Sequence, residues 1–200
     1  MAPAYPADFL AADKTVAWDE GGYQSAAQAA ERGDPGGETK FGISKANFPN
    51  VDIANLTPEA AQQIRFENFW QPFHFDQLPD AIAAKVYNLS INVGPANAVI
   101  CLQRAIRAIT DRELAEDGVI GAETLDAVKL AVTDGPIELM VAMRSEAAGH
   151  YRFARALTRV QRQMNQSSSF SPVQKSAIES AFRNEDGDQL LGGLLNRAYE

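Results

Sequence analysis

Two short runs near the start of the chain combine residue types that could do chemistry: Glu20-Gly21-Gly22-Tyr23, and Asp34-Pro35-Gly36-Gly37-Glu38-Thr39-Lys40-Phe41-Gly42-Ile43-Ser44. The first places a carboxylic acid at the end of an expected helix. The second adds another carboxylate, a hydroxyl and a glycine-rich turn. Cleavage of a glycosidic bond calls for such a set: a proton donor on a stiff element, and across a cleft a group that handles water or positive charge. A carboxyl partly covered by apolar neighbours resists ionisation, so in such surroundings Glu20 would stay protonated near neutrality and donate to a leaving oxygen. Read alone, Glu20 is more readily a solvated glutamate before a helix-ending Gly-Gly. The second run shifts that balance, although Asp34-Pro35-Gly36-Gly37 by itself is also an ordinary turn. Gly36 and Gly37 allow backbone to approach a ligand closely. The Thr39 hydroxyl can hold a water or steady a carboxylate.

The elements that must position these groups read as helices nearly throughout. Residues 8–19 form a first helix with Phe9, Ala12 and Val16 on one side, ended by Gly21-Gly22. Residues 24–56 read as an irregular lobe with turns. Thr57-Pro58-Glu59 starts a helix, with Thr57 as N-cap, Pro58 in the first turn and Glu59 near the positive dipole end, running to Trp70. Further helices are expected from Pro79-Asp80 to Gly94-Pro95, over 96–109, over 122–132 after the Asp117-Gly118 turn, over 136–164 and over 172–182. Residues 166–169 read as a loop. The fold class is therefore mainly α, with a small irregular lobe after the first helix.

Composition narrows the function. The chain has 200 residues, 46% of them hydrophobic, enough for a true core. A single cysteine, Cys101, excludes an internal disulfide framework and reads as a buried small hydrophobe. His74 and His150 lie far apart without ligand spacing, so no metal and no cofactor is expected; His74 reads as a structural histidine. No apolar run of about 18 residues is present to span a membrane. The first residues lack a basic n-region and an apolar h-region, so a secretory signal is not expected. A net charge of −8 disfavours nucleic acid as a partner. Charge is uneven, however: Arg144, Arg152, Arg155, Arg159, Arg162, Lys175 and Arg183 face only Glu146 and Glu179 over residues 140–183. Arg152, Arg155, Arg159 and Arg162 share one helix face, opposite Phe153, Leu157, Val160 and Met164. That face reads first as solvated, and second as a contact for an anionic wall polymer or a membrane surface.

Glu-Gly-Gly-Tyr followed by Asp-x-Gly-Gly-x-Thr-x-Phe/Tyr-Gly-Ile resembles glycoside hydrolase family 108, phage and bacterial N-acetylmuramidases with a lysozyme-like helical fold. Phe69-Trp70, Asn88-Leu89-Ser90-Ile91-Asn92-Val93-Gly94-Pro95 and Leu102-Gln103-Arg104-Ala105 continue the resemblance. Asp117-Gly118-Val119-Ile120-Gly121-Ala122-Glu123-Thr124 is similar to the predicted peptidoglycan-binding region that follows in the family, and Gly193-Leu194-Leu195-Asn196-Arg197 to its ending. Asn88 stands where the family often has aspartate, Leu194 where it has tryptophan, and the stretch 164–188 has no counterpart.

The resemblance implies a hydrolase region over 1–95, with a helical peptidoglycan-binding-like region over 96–200 packed against it. It implies Glu20 as general acid, Asp34 as second carboxylate and Thr39 as water-positioning hydroxyl. Glu31 and Glu38 stay open as alternatives to Asp34. Tyr23, Gly37, Phe41, Trp70 and Asn92 are candidate substrate contacts, with core packing the competing reading for Trp70 and the favoured one for Phe41 and Trp18. The expected activity is hydrolysis of the β-1,4 bond between N-acetylmuramic acid and N-acetylglucosamine by a monomer. Its partner would be peptidoglycan glycan strands, and it would be made in the cytoplasm and moved to the wall by a holin or a secretion system. Two alternatives remain: a lytic transglycosylase on the same scaffold, and a non-catalytic wall-binding or secretion-assisting protein.

Overall fold

The computed structural model describes residues 4–19, 22–32, 36–166, 171–174 and 176. The chain divides into two compact units, Met1–Ala147 and Ala148–Glu200. In the first, α1 (Ala7–Asp19) leads into a small lobe made of α2 (Ala26–Arg32) and a hairpin of β1 (Thr39–Lys40) and β2 (Ile43–Ser44). Then come α3 (Pro58–Arg65), α4 (Asp80–Val93), α5 (Pro95–Thr110), α6 (Ala122–Asp134) and α7 (Pro136–Gln166). Helices with one small antiparallel lobe after the first helix make the lysozyme-like, mainly α arrangement that the sequence implies. In the second unit the description covers the continuation of α7 to Gln166 and a short helical start after Ser171. There Ser171 Oγ accepts from Gln174 N (3.2 Å) while Gln174 Oε1 accepts from Ser171 N (2.9 Å). The remainder of the helix expected over 172–182 lies outside the described residues, as do the 167–169 part of the expected loop and the tail. The side chains of Arg155, Arg162, Phe153, Leu157, Val160 and Met164, invoked for the two-faced helix, also lie outside them; Arg152 and Arg159 are exposed.

Local chemistry explains most boundaries. Thr57 caps α3, its Oγ1 accepting from Ala60 N at 3.2 Å. The helix does not continue unchanged to Trp70. After Arg65 the backbone widens into an i→i+5 turn over Phe66–Trp70, and a 3₁₀ turn follows over Gln71–Phe73. Pro72 offers no N–H, and its ring would crowd the preceding turn of an α-helix, so the ladder yields there. His74 then sits exposed with φ 54°, a left-handed position histidine tolerates better than most residues, between two 3₁₀ turns.

The lobe over 24–56 is less irregular than its composition suggests, because α2 lies within it. Ser25 Oγ accepts from Gln28 N (3.3 Å) and Gln28 Oε1 accepts from Ser25 N (3.0 Å), a reciprocal cap on an alanine-rich turn.

The main core joins α1, the segment after α3, α4, α5, α6 and the first turns of α7. Phe9, Trp70, Tyr87, Leu102, Ile106, Val128, Leu139 and Met143 are all buried within it. Each such side chain withdrawn from water contributes about 1.5–3 kcal/mol before entropy is counted. A second cluster under the hairpin is built from Ile43, Ile53, Leu56 and Ala61, with Phe41, Phe48 and Ile64 against it. Between α4 and α5, Gly94 takes φ 85° and ψ 150°, a region closed to residues with a Cβ, and Pro95 starts the next helix.

Cys101 is buried in α5. The Gln103 and Asp117-Gly118 motifs also turn inward. Gln103, fully buried, donates through Nε2 to Asp117 Oδ1 (2.8 Å) and Val119 O (3.1 Å) and accepts from Gly118 N (3.0 Å). Thr124 Oγ1 donates to Val119 O at 3.1 Å. Hydrogen bonds from Gln103 and from Val119 N hold the Asp117 carboxyl below its ordinary range. Gly118, at φ 71°, lies so close to Ala96 that a Cβ would meet its carbonyl oxygen at 3.0 Å. This motif is a clasp between α5 and α6.

Candidate active site

The residue that follows the first sequence run pairs as backbone with the second run. Gln24 N donates to Thr39 O at 2.8 Å, and Thr39 N returns a bond to Gln24 O at 3.0 Å. The residues after the Gly-Gly thus add an extra rung to the hairpin. Alongside, Tyr23 Oη donates to Glu38 Oε1 at 2.5 Å. That bond, together with the nearby Glu38 charge, raises the Tyr23 pKa. Thr39 Oγ1 donates to Gly37 O at 3.0 Å, leaving its lone pairs to receive a water. Gly37 itself is at φ 70°.

The hairpin turns on Phe41 (φ 52°) and Gly42 (φ 77°). Two positive φ values in a two-residue loop match the right-handed twist of the strands, but an aromatic residue is uncommon at the first. Three contacts hold Phe41 there: its ring packs on the second cluster, Lys40 Nζ lies 5.4 Å from the ring centroid, and its carbonyl accepts from Arg65 Nη1 at 2.8 Å.

Arg65 belongs to a buried polar group that composition and motif do not reveal. Asp13 on α1 is 1% exposed and Arg65 2%. Arg65 grips the carboxylate with two bonds, Nε to Oδ1 (2.6 Å) and Nη2 to Oδ2 (2.9 Å). Tyr87 Oη donates to Oδ1 (2.6 Å) and Gln62 Nε2 to Oδ2 (2.9 Å). Burial works against charge on Asp13, but the bonds from Arg65, Tyr87 and Gln62 outweigh it and hold the carboxyl below its usual range. Burial likewise opposes charge on Arg65, and the Asp13 carboxylate overcomes it, raising the guanidinium pKa. Burial and the Asp13 charge push the Tyr87 phenol upward, so it stays a donor. One residue pair thereby ties α1, α3, α4 and the hairpin turn together. Asp13 stands seven positions before Glu20 on the chain, so the element that leads to Glu20 is anchored by this group.

The expected site residues fare differently. Thr39, Gly37, Tyr23 and Phe41 come together on and beside the hairpin. Tyr23 is exposed and available to a ligand, whereas Phe41 is half-buried against the lobe core. Glu38, an alternative second carboxylate, is in the same cluster through Tyr23; Glu31 is exposed near the end of α2. Glu20 and Asp34 lie outside the described residues, as does the Trp18 side chain. Asn92 is exposed near the end of α4, its amide bonded back to Asn88 O (3.4 Å). The substrate role expected for Trp70 does not fit its place: it is 1% exposed, with rings of Tyr87 (5.3 Å), Phe9 (5.5 Å) and Phe75 (5.9 Å) around it. The widened turn after α3 leads it into the core. Among the described residues no His, Cys, Asp and Glu group could hold a metal, and no helix is long and apolar enough to cross a membrane.

Comparison with known proteins fits this geometry. The glycosyl hydrolase 108 family profile matches residues 13–94. A profile described as a predicted peptidoglycan domain matches residues 97–167. Among solved structures, SagA of Brucella abortus is 29% identical, with a TM-score of 0.59, and the match covers 82% of this chain and 95% of that one. No curated protein matches. The chain thus carries a glycosyl hydrolase 108 region followed by a predicted peptidoglycan domain. It is accordingly a peptidoglycan-directed glycoside hydrolase.

Proposed function

We propose that the chain is an endo-acting N-acetylmuramidase that hydrolyses the β-1,4 bond between N-acetylmuramic acid and N-acetylglucosamine. Glu20 protonates the departing glycosidic oxygen. Asp34 and Thr39 handle water or positive charge on the other face of the sugar, and Tyr23 and the Gly37 backbone contact the glycan. The observation that carries this reading is the rung between Gln24 and Thr39, reinforced by Tyr23 on Glu38. It joins the segment after Glu20 to the segment after Asp34, where the family pattern needs two opposed groups. Residues 1–95 serve as the hydrolase region and 96–200 as the wall-binding region. The chain is made in the cytoplasm and reaches the wall through a holin or a secretion system.

Mass spectrometry of purified peptidoglycan after digestion tests the reaction type. Fragments ending in reducing N-acetylmuramic acid are expected. Anhydro-muramic ends would replace hydrolysis by transglycosylation, and binding without any soluble fragment would reduce the chain to a wall-binding protein.

A further inference from the structure

The region matched as a peptidoglycan domain raises the question of which surface meets the wall. Its most recognisable residues do not: Gln103, Ile120 and Thr124 are buried at 0%, 8% and 3% exposure. Around the C-terminal half of α5, by contrast, an open hollow of about 500 Å³ is lined by Arg104, Arg107, Arg112, Glu113, Glu116 and Glu146, together with Asp111. Charges of both signs crowd it. Arg104 Nε bonds Glu116 Oε2 at 2.8 Å, and Arg107 Nη1 bonds Glu116 Oε1. Partial burial disfavours charge on Glu116, but the two guanidinium groups more than compensate and keep it a carboxylate. Two arginines thus share the Glu116 carboxylate. Arg107 is 47% exposed along its side chain, and a guanidinium has five donors, so it can take a second oxygen partner. Arg112 adds a cation without an ion-pair partner among the described residues. Asp111, Glu113 and Glu146 supply negative charge around the same hollow.

A bare glycan strand has little to offer such a lining. Its sugars are N-acetylated, and the muramic lactyl carboxyl is consumed in the amide to the peptide. The charged part of peptidoglycan is the peptide stem, with carboxylates along it and a free amine wherever its diamino acid is not cross-linked. We propose that this hollow binds the peptide stem of peptidoglycan, Arg107 and Arg112 taking a stem carboxylate and the surrounding acids a stem amine. The inference rests on peptidoglycan being the substrate, and assigns to this surface the part of that polymer the glycan-cutting site does not read.

The probe is a synthetic stem tetrapeptide, N-acetyl-L-Ala-γ-D-Glu-diaminopimelate-D-Ala, titrated into the full chain by calorimetry. Saturable binding is expected, weakened at least tenfold by Arg112→Glu and by Arg107→Glu. Capping the peptide, with the diaminopimelate amine acetylated and every free carboxyl amidated, should weaken binding to the unaltered protein as strongly. That arm changes the ligand and so does not depend on any variant folding. No saturable binding at millimolar peptide, equal binding by Arg112→Glu, or equal binding of the capped peptide would each overturn the proposal. In parallel, the unaltered protein is assayed on glycan stripped of its stems. Cleavage there without stem binding would sink this proposal and leave the muramidase reading intact. Stem binding without cleavage of either this glycan or intact peptidoglycan would support it and sink the other.

Discussion

Asp13 makes a sharp test of how the molecule is held together, because its carboxylate is buried against a buried cation. Asp13→Asn keeps the shape and removes the charge, leaving Arg65 enclosed without its counter-ion. A loss of about 3–5 kcal/mol is expected from breaking such a pair on one side. Urea unfolding of the variant beside the wild type would measure it; a change below about 1 kcal/mol would mean that the pair is not buried as described. The same group makes stability depend on acid. The Asp13 pKa is lowered in the folded chain, so its stabilisation is in place above the unfolded-state value of about 3.9 and is lost as pH falls through the folded value. Melting temperatures taken from pH 6 down to pH 2 should fall more steeply for wild type than for Asp13→Asn. The pairing was not legible in the sequence. The partners are 52 positions apart, and a lone aspartate on a predicted helix gives no sign of which distant arginine it will meet. Trp70 illustrates the same limit, since its side of the chain is decided by the widened turn before Pro72 rather than by any local pattern.

At the scale of single elements, local signals were read where they are strong. Thr57-Pro58-Glu59 foretold the start of α3, and Gly94-Pro95 the break between α4 and α5, because caps and proline act within a few residues. The helix α2 was missed although its signal is present: Ser25 and Gln28 stand at the spacing of a reciprocal cap before an alanine-rich turn. The surrounding glycines and prolines masked it. Ser25→Ala should cost about 0.5–2 kcal/mol, read by chemical denaturation. At the α4–α5 joint, Gly94→Ala forces a Cβ into φ 85°, and a loss of about 1–3 kcal/mol is expected in the same assay. Space is not the obstacle there, since no described atom beyond the adjoining chain lies within 4 Å of the added carbon. A neutral result would therefore show that the joint can change its backbone path.

For the molecule as a whole, a sequence-level division near residue 95 and the physical division of the structure describe different things. The hydrolase profile ends at 94 and the next begins at 97, yet Phe9 and Trp70 share one core with Leu102, Val128 and Met143. A chain cut at that joint would expose one face of α4 and the face of α5 it covers. A fragment of residues 1–95 is expected to lose cooperative unfolding, visible as a broad thermal transition or none; a sharp transition matching the full chain would refute the shared core. Mainly α architecture was readable because helical spacing of apolar residues persists along most of the chain. Which surfaces face solvent was not, since the inward turn of Gln103 and Thr124 depends on how α5 and α6 meet.

Purified peptidoglycan digested in parallel by wild type and by Glu20→Gln gives the most direct measurement. The variant keeps the shape of the side chain and removes the proton it would donate. Release of reducing sugar is expected to fall at least about 100-fold, while cosedimentation with the insoluble wall and the unfolding midpoint stay at wild-type values. Near-wild-type release by Glu20→Gln would contradict the assignment of Glu20 as the acid that frees the glycosidic oxygen.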